Sequence, residues 1–388
     1  MTKVSKKVTS TILSMSLLTV MAGAAIAPAL GIIKQHFSTS SPLAVQMIVS
    51  IPALFIIATN LFFVPISKRF NTRSIAITGL LLYVIAGAGC FFVDNIGLLL
   101  CMRGVLGISV GLIMPLSTGL LSFYFPPEEQ ARLMGLSAAM NQMGGVVATL
   151  LAGVLAAVEW RFAFMVYLLG LIAAVMVLLY LPAEHLFSRE ERGKAFELAS
   201  LVRFHPSVTG MLLLMTIFFV FPTNFAITAQ AASLSLTAIT LIMVGLDLVA
   251  FFVGLIFGGV MKWFRRGVKY FAPTLFMTGY LCYCAGGSAW LIAGSCLIGF
   301  ANGVGVPYLN TIASIKGGKN SATTVMPLLS AALYLGQFIS PIIVNPLGKM
   351  LFGETDLSAP YKAAIIICVV FLLQVFFTRH FQSLPPEE

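Results

Sequence analysis

The feature that most constrains this chain is its division into about twelve apolar runs, the first over roughly residues 8–33 and the last over roughly 360–380. Each is long enough to cross a hydrocarbon layer about 30 Å thick at about 1.5 Å per residue. With 59% hydrophobic and 9% charged residues, no aqueous core absorbs that much apolar surface, so lipid is the expected solvent. In lipid the backbone satisfies its own hydrogen bonds, which selects helices, and the absence of ten-residue alternating patterns argues against a barrel. The expectation is an all-α integral membrane protein of twelve transmembrane helices.

A glycine–proline pattern occurs twice inside these runs, as Gly107, Gly111, Pro115 in the fourth and Gly299, Gly303, Pro307 in the tenth. The offset, 299 − 107 = 192, is about half of the 388 residues. The loop after the second run repeats too: Val64 to Arg73 corresponds to Gly258 to Gly267, placing Lys68 on Lys262 and Phe70 on Phe264. A duplicated membrane-embedded unit predicts two pseudo-symmetric six-helix bundles able to rock about a central site. The charged stretch 183–206, with Glu184, Arg189, Glu190, Glu191, Arg192, Lys194, Glu197 and Arg203, divides the chain into bundles 1–182 and 207–388. It reads as a solvated linker in which Phe187, Phe196, Leu198 and Leu201 allow a short interfacial helix.

If both termini are cytoplasmic, only Lys34, Arg161, Lys349 and Lys362 of the 23 Lys and Arg fall on the far side, and Arg103 lies within a helix. The positive-inside rule then assigns a multi-pass plasma-membrane (inner-membrane) topology. The net charge of +10 is a topological signal and gives no hint of nucleic acid. Lys3, Lys6 and Lys7 precede a run containing Ala25-Ile26-Ala27, but the run is too long for a signal peptide and Pro28 follows directly, so it reads as a retained first helix. All six cysteines sit in apolar runs without His or acidic partners; they indicate packing, with no metal and no cofactor.

Two ionisable residues lie well inside the runs, Arg103 and Asp247, at about 2.5 to 3.5 kcal/mol each near a helix centre. Asp247 is about 16 Å from the outer end of the eighth helix by the helical rise. Desolvation raises a carboxylate's pKa, which suits a proton carrier; the alternative is a structural acid bonded to neighbouring helices. Arg103 keeps its charge, so it either binds an anionic substrate group, sets the protonation of a nearby acid, or serves as structural glue. At the 192-residue offset its counterpart is Ser295. Gln46, Asn60, Asn141, Gln142, Asn224, Asn302, Asn310 and Gln337 are cavity candidates, each equally readable as interhelical glue. Phe218, Phe219, Phe221 and Phe225 cluster around Pro222 in the seventh run. They suit a cavity that accepts varied apolar molecules, and Pro222 predicts a bend usable as a gate.

An enzymatic reading is weak. Gly107-Ile-Ser-Val-Gly111 fits a hydrolase pattern, but the repeat copy has Ala301 in place of the serine, and the four histidines, His36, His185, His205 and His380, fall at membrane edges or in loops. No Gly-x-x-x-x-Gly-Lys-Ser/Thr loop is present, which excludes an ATP-driven pump built on that motif.

At the loop after the second run the chain resembles the major facilitator superfamily, most closely its twelve-helix drug:proton antiporter branch, over nearly its whole length. Of the Gly-x-Leu-x-Asp-Arg-x-Gly-Arg-Arg signature it keeps Arg69 and Arg73 but has Val64, Lys68 and Asn71 at the Gly, Asp and Gly positions. Arg103, Gly107 and Gly111 keep the fourth-helix signature. Trp160, Arg161 and Phe164 match Trp-Arg-x-x-Phe, and Ala22 to Leu30 looks like the first helix of the drug exporters. The antiporters' fifth-helix signature Gly-x-x-x-Gly-Pro-x-x-Gly-Gly falls on Gly144, Ala148, Thr149, Ala152 and Gly153, so its Gly-Pro step is absent. That departure leaves uniport and symport open beside antiport. The resemblance implies alternating access, with proton coupling through Asp247 and Arg103. It favours Asn224 and Asn302 as cavity residues beside Arg103, Gln142, Gln337, Phe221 and Phe225. Conformational positions are Arg69, Arg73, Gly107, Gly111, Pro115, Gly144, Gly153, Pro222, Gly299, Gly303 and Pro307. The leading expectation is proton-coupled export of small hydrophobic or amphiphilic compounds by a monomer in contact with lipid. The second is a facilitator or symporter of an organic anion held by Arg103; an amphiphile exporter and a non-transporting sensor stand behind both.

Overall fold

The computed structural model describes residues 6–185, 198–317 and 325–378. The apolar runs form helices in chain order: α1a Lys6–Ala24 and α1b Leu30–His36, α2 Pro42–Arg69, α3 Thr72–Gly89, α4 Ile96–Tyr124, α5 Pro127–Ala156, and α6 Leu169–Tyr180, entered by a 3-10 stretch Trp160–Leu168. There follow α7a Leu198–Phe218, α7b Val220–Ala231, α8 Leu236–Phe264, α9 Phe271–Ala285, α10 Ser288–Gly317, α11 Met326–Phe352 and α12 Ala359–Phe377. Among the described residues, eleven stretches are long and apolar enough to cross a membrane. The ninth falls short of that length: α9 has 15 residues and is preceded by a 3-10 stretch, Arg265–Tyr270.

Short polar side chains set several starts. Ser41, Asn71 and Asn95 accept hydrogen bonds from the backbone N–H groups of Ala44, Ser74 and Leu98 at 3.2, 2.8 and 3.1 Å, each supplying an acceptor to a first-turn donor. Asn71, one of the departures from the loop signature, is thus the cap of α3. The turn between α9 and α10 uses Gly286 and Gly287 at φ 73° and 88°, a conformation open to glycine.

Prolines break two helices. Pro28 lies between α1a and α1b, and Pro222 stands at the start of α7b, just after the interruption at Phe219. Without an N–H, Pro222 cannot bond the Phe218 carbonyl, which accounts for the expected bend. The offset is 222 − 28 = 194, so the two breaks are repeat counterparts.

The chain clusters into two compact units. The first holds the helices through α6 together with Leu234–Thr240, and the second holds the rest of the described chain from α7a onward. Residues 186–197 of the expected linker lie outside the described residues, and from Leu198 the chain is already helical.

Candidate functional site

In the first unit Arg103 lies on α4 with 0% exposure. Its Nε donates to the Ile48 carbonyl of α2 at 2.6 Å, Nη1 donates to the Tyr167 hydroxyl at 2.5 Å, and Nη2 donates to the Ala22 carbonyl of α1a. Tyr167, in the 3-10 stretch before α6, donates its own hydroxyl to the same Ala22 carbonyl at 2.9 Å. Ala22 sits just ahead of the break at Pro28, so two side chains catch the carbonyl of a helix about to end. Tyr83 of α3 donates to the Leu18 carbonyl one turn earlier at 3.2 Å, and its ring meets that of Tyr167 edge to face at 5.4 Å. A buried guanidinium without a carboxylate is tolerated in lipid where backbone carbonyls surround it. No part of the Arg103 side chain reaches a surface, and its Nε, Nη1 and Nη2 are all spent on the scaffold of the first unit.

The second unit repeats this cage with neutral parts. Ser340 of α11 donates to the Thr216 carbonyl of α7a at 2.7 Å, and Thr216 is the 194-residue counterpart of Ala22. Tyr280 of α9 donates to the Ile217 carbonyl at 2.6 Å. Ser295, the counterpart of Arg103, pairs with the Tyr283 hydroxyl, and Thr228 of α7b pairs with that of Tyr361 at 2.6 Å. The Tyr361 ring stacks on Tyr283 at 4.9 Å and Tyr280 at 5.8 Å. Tyr83 and Tyr167 therefore recur as Tyr280 and Tyr361, at offsets of 197 and 194.

The repeated glycines are helix-crossing points. A methyl group on Gly107 would collide with the Pro52 carbonyl of α2, and one on Gly111 would lie 2.6 Å from the Thr59 Cβ. On α10, methyls at Gly299 and Gly303 would lie 2.5 and 2.7 Å from the Leu246 and Ala250 carbonyls of α8. Pro115 and Pro307 follow these crossings inside α4 and α10. Gly144 packs on the Leu17 backbone of α1a, and Gly153 on the side chain of Thr240.

Asp247 lies half-buried on α8, one residue beyond Leu246 at the Gly299 crossing. It is the sole acid within the candidate spans of the described residues. Asn302 is half-buried on α10, with a buried Oδ1 that has no hydrogen-bond partner among the described atoms. Such an orphaned acceptor costs about 1–3 kcal/mol, so Asn302 holds an interaction site in reserve. Asn224 is 3% exposed and turns its Nδ2 to the Val220 carbonyl and the Thr223 hydroxyl. Gln337 and Gln142 are half-buried, Gln337 with its Nε2 3.9 Å from the Met215 sulfur. Phe221 and Phe225, expected as cavity residues, lie in packed surroundings. They are 2% and 0% exposed, stacked at 4.8 Å, and packed against Tyr283 in the interior of the second unit.

Arg69 and Arg73 do different work. The Arg69 guanidinium lies 5.9 Å from the Phe70 ring centre, whereas Arg73 donates to the Leu178 carbonyl at the end of α6. Beside it, the Thr72 N–H donates to the Glu184 carbonyl at 2.7 Å, and Tyr124 donates to the Glu184 carboxylate at 3.1 Å. The residues that sequence reasoning missed are Pro28 as the partner of Pro222 and the paired tyrosines. Their signal was recurrence at the repeat offset, detectable once the breaks are aligned.

Comparison with known proteins places these features in context. Residues 12–341 match the Major Facilitator Superfamily. The riboflavin transporter RibZ of Clostridioides difficile is 24% identical over 173 residues, covering 44% of this chain and 37% of that protein, so the chain spans about a third of that relative. The quinolone resistance protein NorA of Staphylococcus aureus is 25% identical over 326 residues, 77% of this chain and 78% of that one. Among solved structures, a bacterial homolog of the human lysosomal transporter Spinster, inward-facing and unoccupied, covers 99% of this chain and 100% of its own with a TM-score of 0.73 at 16% identity. That likeness speaks for the fold.

Proposed function

The chain belongs to the Major Facilitator Superfamily, and from that premise we propose that it exports small hydrophobic or amphiphilic compounds in exchange for protons. At the coarser level it is a multi-pass membrane transporter of small molecules and not an enzyme. The observation that carries the finer reading is the sealing of Arg103. Its donors face two carbonyls and a tyrosine inside the first unit, so the fixed cation is taken up by the scaffold. The acid within the candidate spans of the described residues is Asp247, half-buried on α8. A carboxylate on a spanning helix is a group that takes up and gives back a proton, the chemistry that coupling requires.

In this reading 1–182 and 207–388 are the two rocking bodies, hinged on the glycine crossings and on the breaks at Pro28 and Pro222. Arg69 and Arg73 secure the loop between α2 and α3. Arg103 and Tyr167 hold the broken first helix in register, so the arginine affects coupling by position. Asn302 offers its unpaired oxygen to a substrate donor in the second unit, where Gln337 is a further polar candidate, and Gln142 is the candidate in the first. NorA, which aligns over most of both chains, supports a drug-sized cargo.

The test is proton-gradient-driven accumulation of a fluorescent lipophilic cation in inverted vesicles, comparing wild type with Asp247→Asn at matched expression. Wild type concentrates the dye and the variant does not. If the two accumulate dye equally, Asp247 carries no coupling proton. If neither exceeds empty vesicles, the cation-export reading falls, and organic anions are the substrates to test next.

A further inference from the structure

Between Asp247 and Glu354 the sequence has no acidic residue, yet Lys262 in the last turn of α8 is followed by Arg265, Arg266 and Lys269 in the 3-10 stretch that leads to α9. Lys262 and Arg265 are exposed, and between them stand Trp263 and Phe264, 86% and 48% exposed. Arg265 has φ 45°, a left-handed conformation that side-chain-bearing residues seldom take. It turns the chain out of α8 into the 3-10 stretch. Lys269 is 8% exposed, with its ammonium 4.7 Å from the Tyr270 ring centre. An ion pair in this unit, Lys362 with Asp356 at 2.6 Å, joins the first turn of α12 to the α11–α12 loop, at the other end of the helices.

We infer that the α8–α9 turn binds the headgroup of an anionic phospholipid. Lys262 and Arg265 donate to the phosphodiester, and Trp263 seats its ring at the level of the glycerol backbone. Three features select a lipid over a free phosphate. The turn ends an apolar spanning helix, so it stands at headgroup depth. Indole rings prefer that layer, with an apolar body and one N–H donor. The cations have no acid beside them in sequence, and clusters of this kind next to a spanning helix attract anionic lipid. The inference rests on the proposed topology only in assigning the turn to the cytoplasmic leaflet.

The experiment uses the full chain in nanodiscs of phosphatidylcholine containing an equal fraction of brominated phosphatidylglycerol or brominated phosphatidylcholine. The difference in fluorescence quenching between wild type and Trp263→Phe isolates that indole. Brominated phosphatidylglycerol is expected to be enriched about five-fold at Trp263 per engaged cation. The preference is expected to vanish in Lys262→Gln/Arg265→Gln, survive in Lys262→Arg/Arg265→Lys, and weaken with salt. Equal quenching by the two lipids in wild type overturns the inference, as does loss of the preference on adding inorganic phosphate at constant ionic strength, which marks a small-anion site. Because the readout needs no transport, a lipid preference in preparations that move no dye supports this site while removing the proposed function.

Discussion

The breaks in the first and seventh helices have the same cause and different remedies. Each follows from a proline, at Pro28 and Pro222, and each leaves carbonyls at the end of a helical segment. In the first unit Arg103 and Tyr167 catch the Ala22 carbonyl, with Tyr83 on Leu18 one turn earlier; in the second the carbonyls are caught by Ser340 and Tyr280, with Ser295, Tyr283, Thr228 and Tyr361 completing the cage. A guanidinium makes charge-assisted bonds, roughly twice as strong as neutral ones, and keeps its charge at every physiological pH. Hydroxyls make weaker bonds and rotate freely between partners. The same architecture is therefore clamped on one side and compliant on the other, which predicts that the seventh helix flexes at its break more readily than the first.

The hardest test of this contrast is Arg103→Met. It leaves the Ile48 carbonyl and the Tyr167 hydroxyl short of a donor and the Ala22 carbonyl with Tyr167 alone, at an expected cost of about 3–5 kcal/mol for the three charge-assisted bonds lost, read as a lowered thermal midpoint in detergent. Arg103→Lys recovers only part of it, because an ammonium lacks the planar fork; full recovery would remove the geometric argument. Next come Gly107→Ala and Gly299→Ala, each expected to cost about 1–3 kcal/mol by forcing backbones apart. Gly258→Ala, with nothing within 4 Å of the added methyl, serves as the control. A clear difference between the two crossing glycines would break the symmetry.

Smaller still is the loss from Tyr280→Phe, about 1 kcal/mol for one hydrogen bond. It should exceed that of Tyr83→Phe, whose bond is 3.2 Å against 2.6 Å. The smallest effect belongs to Asp356→Asn. The Lys362 ammonium beside Asp356, followed by the Ser358 hydroxyl, lowers its carboxyl pKa to about 2. A depressed acid contributes stability above its unfolded value of about 3.9, and that contribution fades as pH falls toward 2. At neutral pH the variant should lose less than about 1 kcal/mol, and at pH 2 much of that difference should be gone, as an acid titration of thermal stability would show.

Much of this was legible in the sequence because it depends on hydropathy or on missing atoms. The spanning runs, the Gly107 and Gly299 crossings and the bend at Pro222 belong to that class. The site was harder to read. Arg103 was conspicuous as a charge in an apolar run, but its partners are backbone carbonyls, which every residue carries and no pattern marks. Tyr83 and Tyr280 sit in apolar runs where a ring raises no alarm, and their hydroxyls matter only once packing aims them at α1a and α7a. Phe221 and Phe225 were visible as a cluster, but whether such a cluster faces a cavity or a core is decided by neighbours on α9, a choice that local sequence does not encode.

The short ninth helix has a consequence for the membrane. Fifteen residues rise about 22 Å, some 8 Å less than a typical hydrocarbon layer, and the residues just before it include Arg265 and Lys269, which do not substitute for apolar length. Leu281 is 50% exposed, so α9 presents a face to acyl chains. A segment too short for its bilayer is matched by local thinning and by long side chains reaching up to the interface. The lipid beside α9 is therefore expected to be dimpled, and thicker bilayers should load elastic stress onto this one edge of the second unit.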